Sequence, residues 1–317
     1  MSQIFDALQR SEAERAGSSE ASVPLEATDV LRRAEQLATT KWDSQSLLGT
    51  AETLNGQDLD RLRSQARTDF DVSGRQVGAS AEADGRLRIL SQFSALPFSA
   101  APESRLVSIT DPDSPATEAF RLLGVRLRDL ARTRPLKKVL ITSTIPQEGK
   151  TTVAANLAFT LARSTQQKVL LLEGDVRRPA ITAMLGLQGN PGICEWLRGD
   201  QKLTNCVYSL GETGIWIIPA GKSPQNPLEV LQSSKLNALM AQLSDWFDCV
   251  VIDSPPVLPL ADTSVWMRLA DGIILVARQG VSEKKQLQKG LDAIDPQKLI
   301  GSLLNCSNGS PHSNYYY

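Results

Sequence analysis

The chain is short of histidine, aromatics and long apolar runs. A single histidine, His312, among 317 residues argues against Ser-His-Asp or Cys-His nucleophile chemistry and against a histidine-rich metal centre. The four cysteines, Cys194, Cys206, Cys249 and Cys306, form no Cys-x-x-Cys pair. That spacing speaks against zinc or iron–sulfur ligation and fits reduced thiols. No apolar stretch approaches the length of a bilayer span, and the opening Met1-Ser2-Gln3-Ile4-Phe5-Asp6 is not a secretory signal. Lys plus Arg (34) nearly balance Asp plus Glu (35), so no global charge draws the chain to nucleic acid or an anionic membrane. Together these absences predict a cytoplasmic protein.

Composition divides the chain. Residues 1–104 are rich in Ser, Ala, Glu, Arg and Gln, with apolar residues only in patches such as Ile4, Phe5 and Leu8. They are expected to be a mostly disordered extension with short helices, because so little apolar surface cannot offset ordering entropy. The patch at Ile4, at helical spacing, reads as a docking segment or a fraying helix. A core of 105–305 follows, opening with Ser114-Pro115, an N-cap and first-turn proline. Apolar strands are expected at Lys138–Ser143, Lys168–Leu172, Ile215–Pro219, Cys249–Asp253, Gly272–Ala277 and Leu299–Asn305. Amphipathic helices fill the gaps, notably Thr151–Ser164 and Pro227–Leu243. That alternation predicts an α/β fold, a mainly parallel sheet with helices on both faces. Residues 306–317 form a polar tail.

The most telling segment is Pro146-Gln147-Glu148-Gly149-Lys150-Thr151-Thr152, between the first strand and a helix. Strand, Gly-Lys-Thr turn and helix make a phosphate-binding P-loop, whose backbone N–H groups and helix dipole face a nucleotide's phosphates. Lys150 then reaches the β/γ-phosphates and the Thr151 hydroxyl ligates Mg²⁺. The motif's usual first glycine is replaced by Thr144. Two further strands end in acids where such sheets bind ligands: Glu173-Gly174-Asp175 and Asp253-Ser254-Pro255. Asp253 and Asp175 are candidate Mg²⁺ partners, since Mg²⁺ takes few carboxylates and keeps most of its waters. For transfer to a hydroxyl, Glu173 or Asp175 is the candidate base. Arg177 and Arg178 either steady this loop, attract an acidic acceptor segment or are ordinary surface charges. Asn305 closes the last strand and is counted with the nucleotide-binding residues.

Three of the four tyrosines are the last three residues, Tyr315, Tyr316 and Tyr317. Ten extended residues after Asn305 reach roughly 33–36 Å, enough to carry them to a neighbouring subunit.

As a set, Pro146–Thr152, Leu170–Arg177, Val250–Pro256 and Tyr315–Tyr317 resemble the bacterial tyrosine kinases of capsule and exopolysaccharide operons in their cytoplasmic form. The resemblance covers roughly residues 105–317. It implies ATP with Mg²⁺, transfer to the C-terminal tyrosines of neighbouring subunits, and a homo-oligomer, a ring in the family. It also implies activation by a separate transmembrane polysaccharide chain-length regulator, which recruits the chain to the inner face of the membrane. There are three departures. Glu173 stands where the family has Asp. The subunit-contact motif Glu118-x-x-Arg121 ends in Gly124 instead of Arg, with Arg126 nearby. The tyrosine cluster is short. A MinD/ParA-like ATPase switch is the rival reading, although Ile145 stands where those carry a second lysine. A weakly active nucleotide-binding regulator is another, and a GTPase is disfavoured because Asn305-Cys306-Ser307-Asn308 is not Asn-Lys-x-Asp.

Overall fold

The structure, a computed structural model, describes residues 85–306 apart from 102–103, 166 and 259. The Ile4 patch, the tail and its three tyrosines lie outside the described residues. Two compact units meet in sequence at Phe93. Before it the structure describes a short helix at 85–90; from Phe93 onward runs the unit that holds the sheet.

Its strands are β1 (Ser94–Leu96), β2 (Lys138–Ser143), β3 (Val169–Glu173), β4 (Tyr208–Leu210), β5 (Ile215–Ile218), β6 (Cys249–Asp253), β7 (Gly272–Arg278) and β8 (Leu299–Asn305). They form one eight-stranded sheet in the order β1-β4-β5-β3-β6-β2-β7-β8. From β5 to β8 every pairing is parallel; only β4 against β5 is antiparallel. The register sets Glu173 beside Asp253, and Asp253 beside Ile141 two residues before the end of β2. The end of β2 and both acidic strand ends therefore share one rim. Strands β2, β3 and β6 are buried almost throughout, as expected of parallel strands covered on both faces.

The expected boundaries hold within a residue or two for all six strands. Three differences are informative. Residues 93–101 were expected to fall in an irregular extension, yet β1 joins the sheet, Phe93 packs on Trp246 and Phe98 stacks on Phe159 at 5.3 Å. Three-residue strands such as β1 and β4 carry no readable period and exist because partners await them. The expected single helix 227–243 is two, α6 (Pro227–Leu231) and α7 (Ser234–Trp246), since the Ser233 hydroxyl caps the second through Lys235 N. The P-loop helix α3 (Lys150–Thr165) is buried nearly all round rather than on one face. The long helix α2 (Pro115–Thr133) covers it, and α1 (Val107–Thr110) is pinned to it by Ser108–Asn156 hydrogen bonds.

Helix α2 begins as its sequence dictates, with the Ser114 hydroxyl accepting from Thr117 N and Pro115 in the first turn. Leu127 and the flanking Phe120, Leu123 and Leu130 face the core. Gly124 is buried against α3, where a Cβ would stand 3.4 Å from Leu161. An arginine there would have to leave that packed face, so the helix carries Glu118 and Arg121 outward and no third charge at this position. Further along, α5 (Ile193–Arg198) starts at Gly192, whose Cα lies so close to the 219–221 backbone that a Cβ would sit 2.1 Å from the Pro219 carbonyl.

These packings make a sharp contrast. Gly192→Ala is expected to cost about 2–3 kcal/mol, since backbone must shift to admit the methyl. Gly301→Ala in β8, with nothing within 4 Å, is expected to be neutral or slightly stabilising; urea denaturation of both variants checks the pair.

Candidate active site

The turn from β2 into α3 is wound tightly around its own carbonyls. Gln147 and Gly149 take φ of 69° and 92°, and at Gly149 that conformation favours a residue without Cβ. Ser143 Oγ donates to the Ile145 carbonyl at 2.8 Å, and Ile145 N donates to the Glu148 carboxylate at 2.9 Å. Thr144, at the place of the motif's first glycine, is buried and faces Gly290 of α9 (Lys284–Asp292). Gly290 leaves the volume that Thr144 fills, so a glycine on the facing helix compensates for the one missing from the loop.

Lys150 points into a pair of carboxylates. Its Nζ lies 3.1 Å from Asp175 Oδ2, 3.6 Å from Asp253 Oδ1 and 3.3 Å from Thr151 Oγ1. The Thr151 hydroxyl donates to Asp253 Oδ2 at 2.8 Å. Burial by itself would lower the Lys150 pKa, but Asp253 and Asp175 outweigh it and hold the ammonium above its ordinary value. Burial pushes the Asp253 carboxyl the other way, up to about 6, against the pull of Lys150 and Thr151. Asp253 Oδ1 has no hydrogen-bond partner although it is buried. A buried carboxylate oxygen held only by the Lys150 ion pair, beside a hydroxyl, fits an Mg²⁺ ligand pair. No larger His/Cys/Asp/Glu cluster able to hold a metal occurs among the described residues, and Mg²⁺ on nucleotide phosphates needs none.

Glu173 and Asp175 part ways. Glu173 is fully buried, and its carboxylate accepts from Thr182 N at 3.0 Å, Ala220 N at 2.9 Å and the Thr182 hydroxyl. It ties α4 (Ile181–Met184) and the loop after β5 to the end of β3. Asp175 turns to Lys150 and accepts from Arg178 N at 3.1 Å. Arg177 reaches away, pairing with the buried Asp262 at the start of α8 (Asp262–Leu269) at 2.6 Å. Of the alternatives for Arg177, the structure takes the steadying one.

Other residues were not evident in the sequence. Trp266 Nε1 donates to the Gly174 carbonyl at 3.0 Å, and Gly174 N to the Asp253 carbonyl at 2.7 Å, which stitches the two acidic strand ends together. Glycine between the acids was the available signal, because it permits close approach. Ser282 and Arg278 also reach the P-loop, the first to the Glu148 carboxylate and the second to the Gln147 carbonyl at 3.2 Å. A serine after a strand advertises nothing of the kind. Asn305 stands at the P-loop as well, its Nδ2 donating to the Glu148 carbonyl at 3.0 Å. Glu118 and Arg121 pair with each other at 3.0 Å on the exposed face of α2, which also carries Arg126. The fourth tyrosine, Tyr208, is buried and donates to the Pro191 and Asn205 carbonyls, which withholds it from any incoming reagent.

Residues 146–295 match a family model described as an AAA domain. The tyrosine-protein kinase YwqD of Bacillus subtilis is 32% identical over 217 residues, covering 68% of this chain and 91% of that protein. The tyrosine-protein kinase wzc of Salmonella typhimurium is 29% identical over 220 residues, where this chain spans 30% of the relative's length. The solved kinase domain of the Escherichia coli tyrosine kinase ETK superposes with a TM-score of 0.59 at 28% identity, over 67% of this chain and 83% of that one.

The pKa of Asp253 has a sign that can be measured. Its folded value, about 6, lies above its ordinary 3.8, so between those values the native state holds the proton more tightly than the unfolded chain. Ligand-free stability should therefore fall as pH rises through that window, by roughly 1–3 kcal/mol. Asp253→Asn should abolish the fall in urea midpoints taken from pH 4 to pH 7.

Proposed function

This chain belongs to the bacterial tyrosine kinases, and we propose that it transfers the γ-phosphoryl group of ATP to the tyrosines at its own C-terminus, Tyr315, Tyr316 and Tyr317, on neighbouring copies. The observation that carries this reading is the convergence of Lys150, Thr151, Asp175 and Asp253 within hydrogen-bond or ion-pair distance at the mouth of the P-loop. The family is one of ATP-binding P-loop proteins. Here the backbone of Pro146–Thr152 and the start of α3 would cradle the phosphates, with Lys150 as their counter-charge. The Thr151 hydroxyl and the Asp253 carboxylate would hold Mg²⁺, with Asp175 beside them. When bound, Mg²⁺ neutralises phosphate charge.

In the transfer, the tyrosine oxygen bonds to the γ-phosphorus as the bond to the bridging oxygen breaks and ADP departs. The phenolic proton needs an acceptor, and the geometry favours Asp175 over Glu173 for it. Asp175 shares the Lys150 ammonium, whereas both Glu173 oxygens already accept hydrogen bonds from the framework. The extra methylene of Glu173 then serves reach, not catalysis: it lets one carboxylate hold both Thr182 and Ala220.

The biological setting follows the family. No helix among the described residues is long and apolar enough to cross a membrane. We place the chain in the cytoplasm, activated at the membrane by a transmembrane chain-length regulator, with phosphorylation controlling capsule or exopolysaccharide length or export. Glu118, Arg121 and Arg126 on α2 are the proposed contact with a neighbouring subunit. Gly124 supplies no charge to it, so the assembly leans on fewer ion pairs than a complete motif allows.

The test is phosphate mapping by mass spectrometry after incubation with Mg-ATP, with and without the cytosolic fragment of the activator. Phosphate is expected on Tyr315–Tyr317 and should vanish in Lys150→Met. ATP hydrolysis without phosphotyrosine would instead mark a switch ATPase. The two candidate bases separate in the same assay. Asp175→Asn is expected to slow transfer roughly 100-fold or more. Glu173→Gln should slow it less than about 10-fold while lowering the melting temperature, because a neutral amide leaves buried donors poorly matched.

A further inference from the structure

The outer side of the P-loop is braced by the far edge of the sheet. Three side chains, from the end of β7, the loop after it and the end of β8, reach it: Arg278 to the Gln147 carbonyl, Ser282 to the Glu148 carboxylate and Asn305 to the Glu148 carbonyl. Asn305 makes the closest approach. A Cβ on Gly149 would stand 2.0 Å from its Nδ2, so the amide lies against the left-handed residue that presents Lys150. The orientation of that amide is defined from its other end, where Asn305 Oδ1 accepts from Cys306 N at 2.9 Å, leaving only N–H to face the loop. The strand pairing that sets Asn305 beside Arg278, with Gln279 N donating to the Asn305 carbonyl at 3.0 Å, fixes the backbone beneath.

We infer that Asn305 is a positioning residue for the phosphate site: it holds the Glu148–Gly149 peptide, and through it the loop's amides and Lys150, in the phosphate-binding shape. The inference rests on the P-loop reading above and deepens it, since the role assigned is to the polyphosphate and not to the base. A residue that touches the base affects only ligands that carry one. A residue that shapes the loop affects every ligand with phosphates, base or no base. The cause is local: without the amide, the Glu148 carbonyl and the neighbouring backbone regain rotational freedom that phosphate binding must then remove.

The experiment measures Mg-ADP binding by calorimetry and Mg-bound inorganic triphosphate by competition against it, on the full chain. Wild type, Asn305→Ala and Asn305→Leu are compared, the last keeping the volume without the N–H. Both variants are expected to bind both ligands roughly 3- to 10-fold more weakly, by the same factor for each, with the ligand-free melting temperature unchanged. Loss confined to Mg-ADP would overturn the inference and make Asn305 a base contact, leaving the P-loop reading intact. Unchanged binding of both ligands would also overturn it. Wild type binding neither ligand would sink the P-loop reading itself, and this inference with it.

Discussion

A single buried ammonium organises the rim of this protein. Lys150 stands between Asp175 and Asp253 in a place where none of the three is appreciably exposed. An isolated charge so buried would be strongly unfavourable, and removing one partner of a buried pair leaves the other uncompensated. The three are therefore stable only as a set, and the set spans the P-loop, β3 and β6. The site also carries one more carboxylate than ammonium, and burial answers by raising Asp253 toward neutrality. Such a cluster is not the most stable filling for the space. In the proposed function it is the filling of a site that exchanges partners, a phosphate taking Lys150 and a divalent cation taking the carboxylates.

The remaining architecture aims those three groups. A parallel sheet collects strand ends on one rim, but collection alone does not orient side chains. Glu173 ties β3 to α4 and to the loop after β5, Arg177 ties the following loop to Asp262, and Trp266 holds Gly174 against the end of β6. With its neighbours on both sides committed to the framework, Asp175 has one direction left, toward Lys150. The same division of labour holds on the opposite flank of the P-loop. There Ser282 and Ile145 N hold the carboxylate of Glu148, an acid in the loop itself, turned inward and buried, and burial raises its pKa above the ordinary value. An anion facing the phosphates would oppose binding, so this inward turn favours the site.

Much of this was open to reading in the residue order. Continuous apolar runs marked the six long strands. Gly149-Lys150-Thr151 marked the loop, Ser114-Pro115 started the helix α2 as expected, and the two acidic strand ends marked the rim beside the loop. All of these are local signals, confined to a few neighbouring residues whose chemistry admits few conformations. The chain's own order thus determined the fold class, the identity of the phosphate loop and the short list of acids. Tertiary structure tied Glu173 to Thr182 and Ala220, turned Asp175 to Lys150, gave Arg177 to Asp262, excused Thr144 through Gly290, and set Asn305 on the P-loop from a strand 157 residues away from Glu148. The physical reason is the same in each case. Where a side chain points depends on which distant donor or cavity it meets, and those meetings exist only once the sheet has brought its strand ends together.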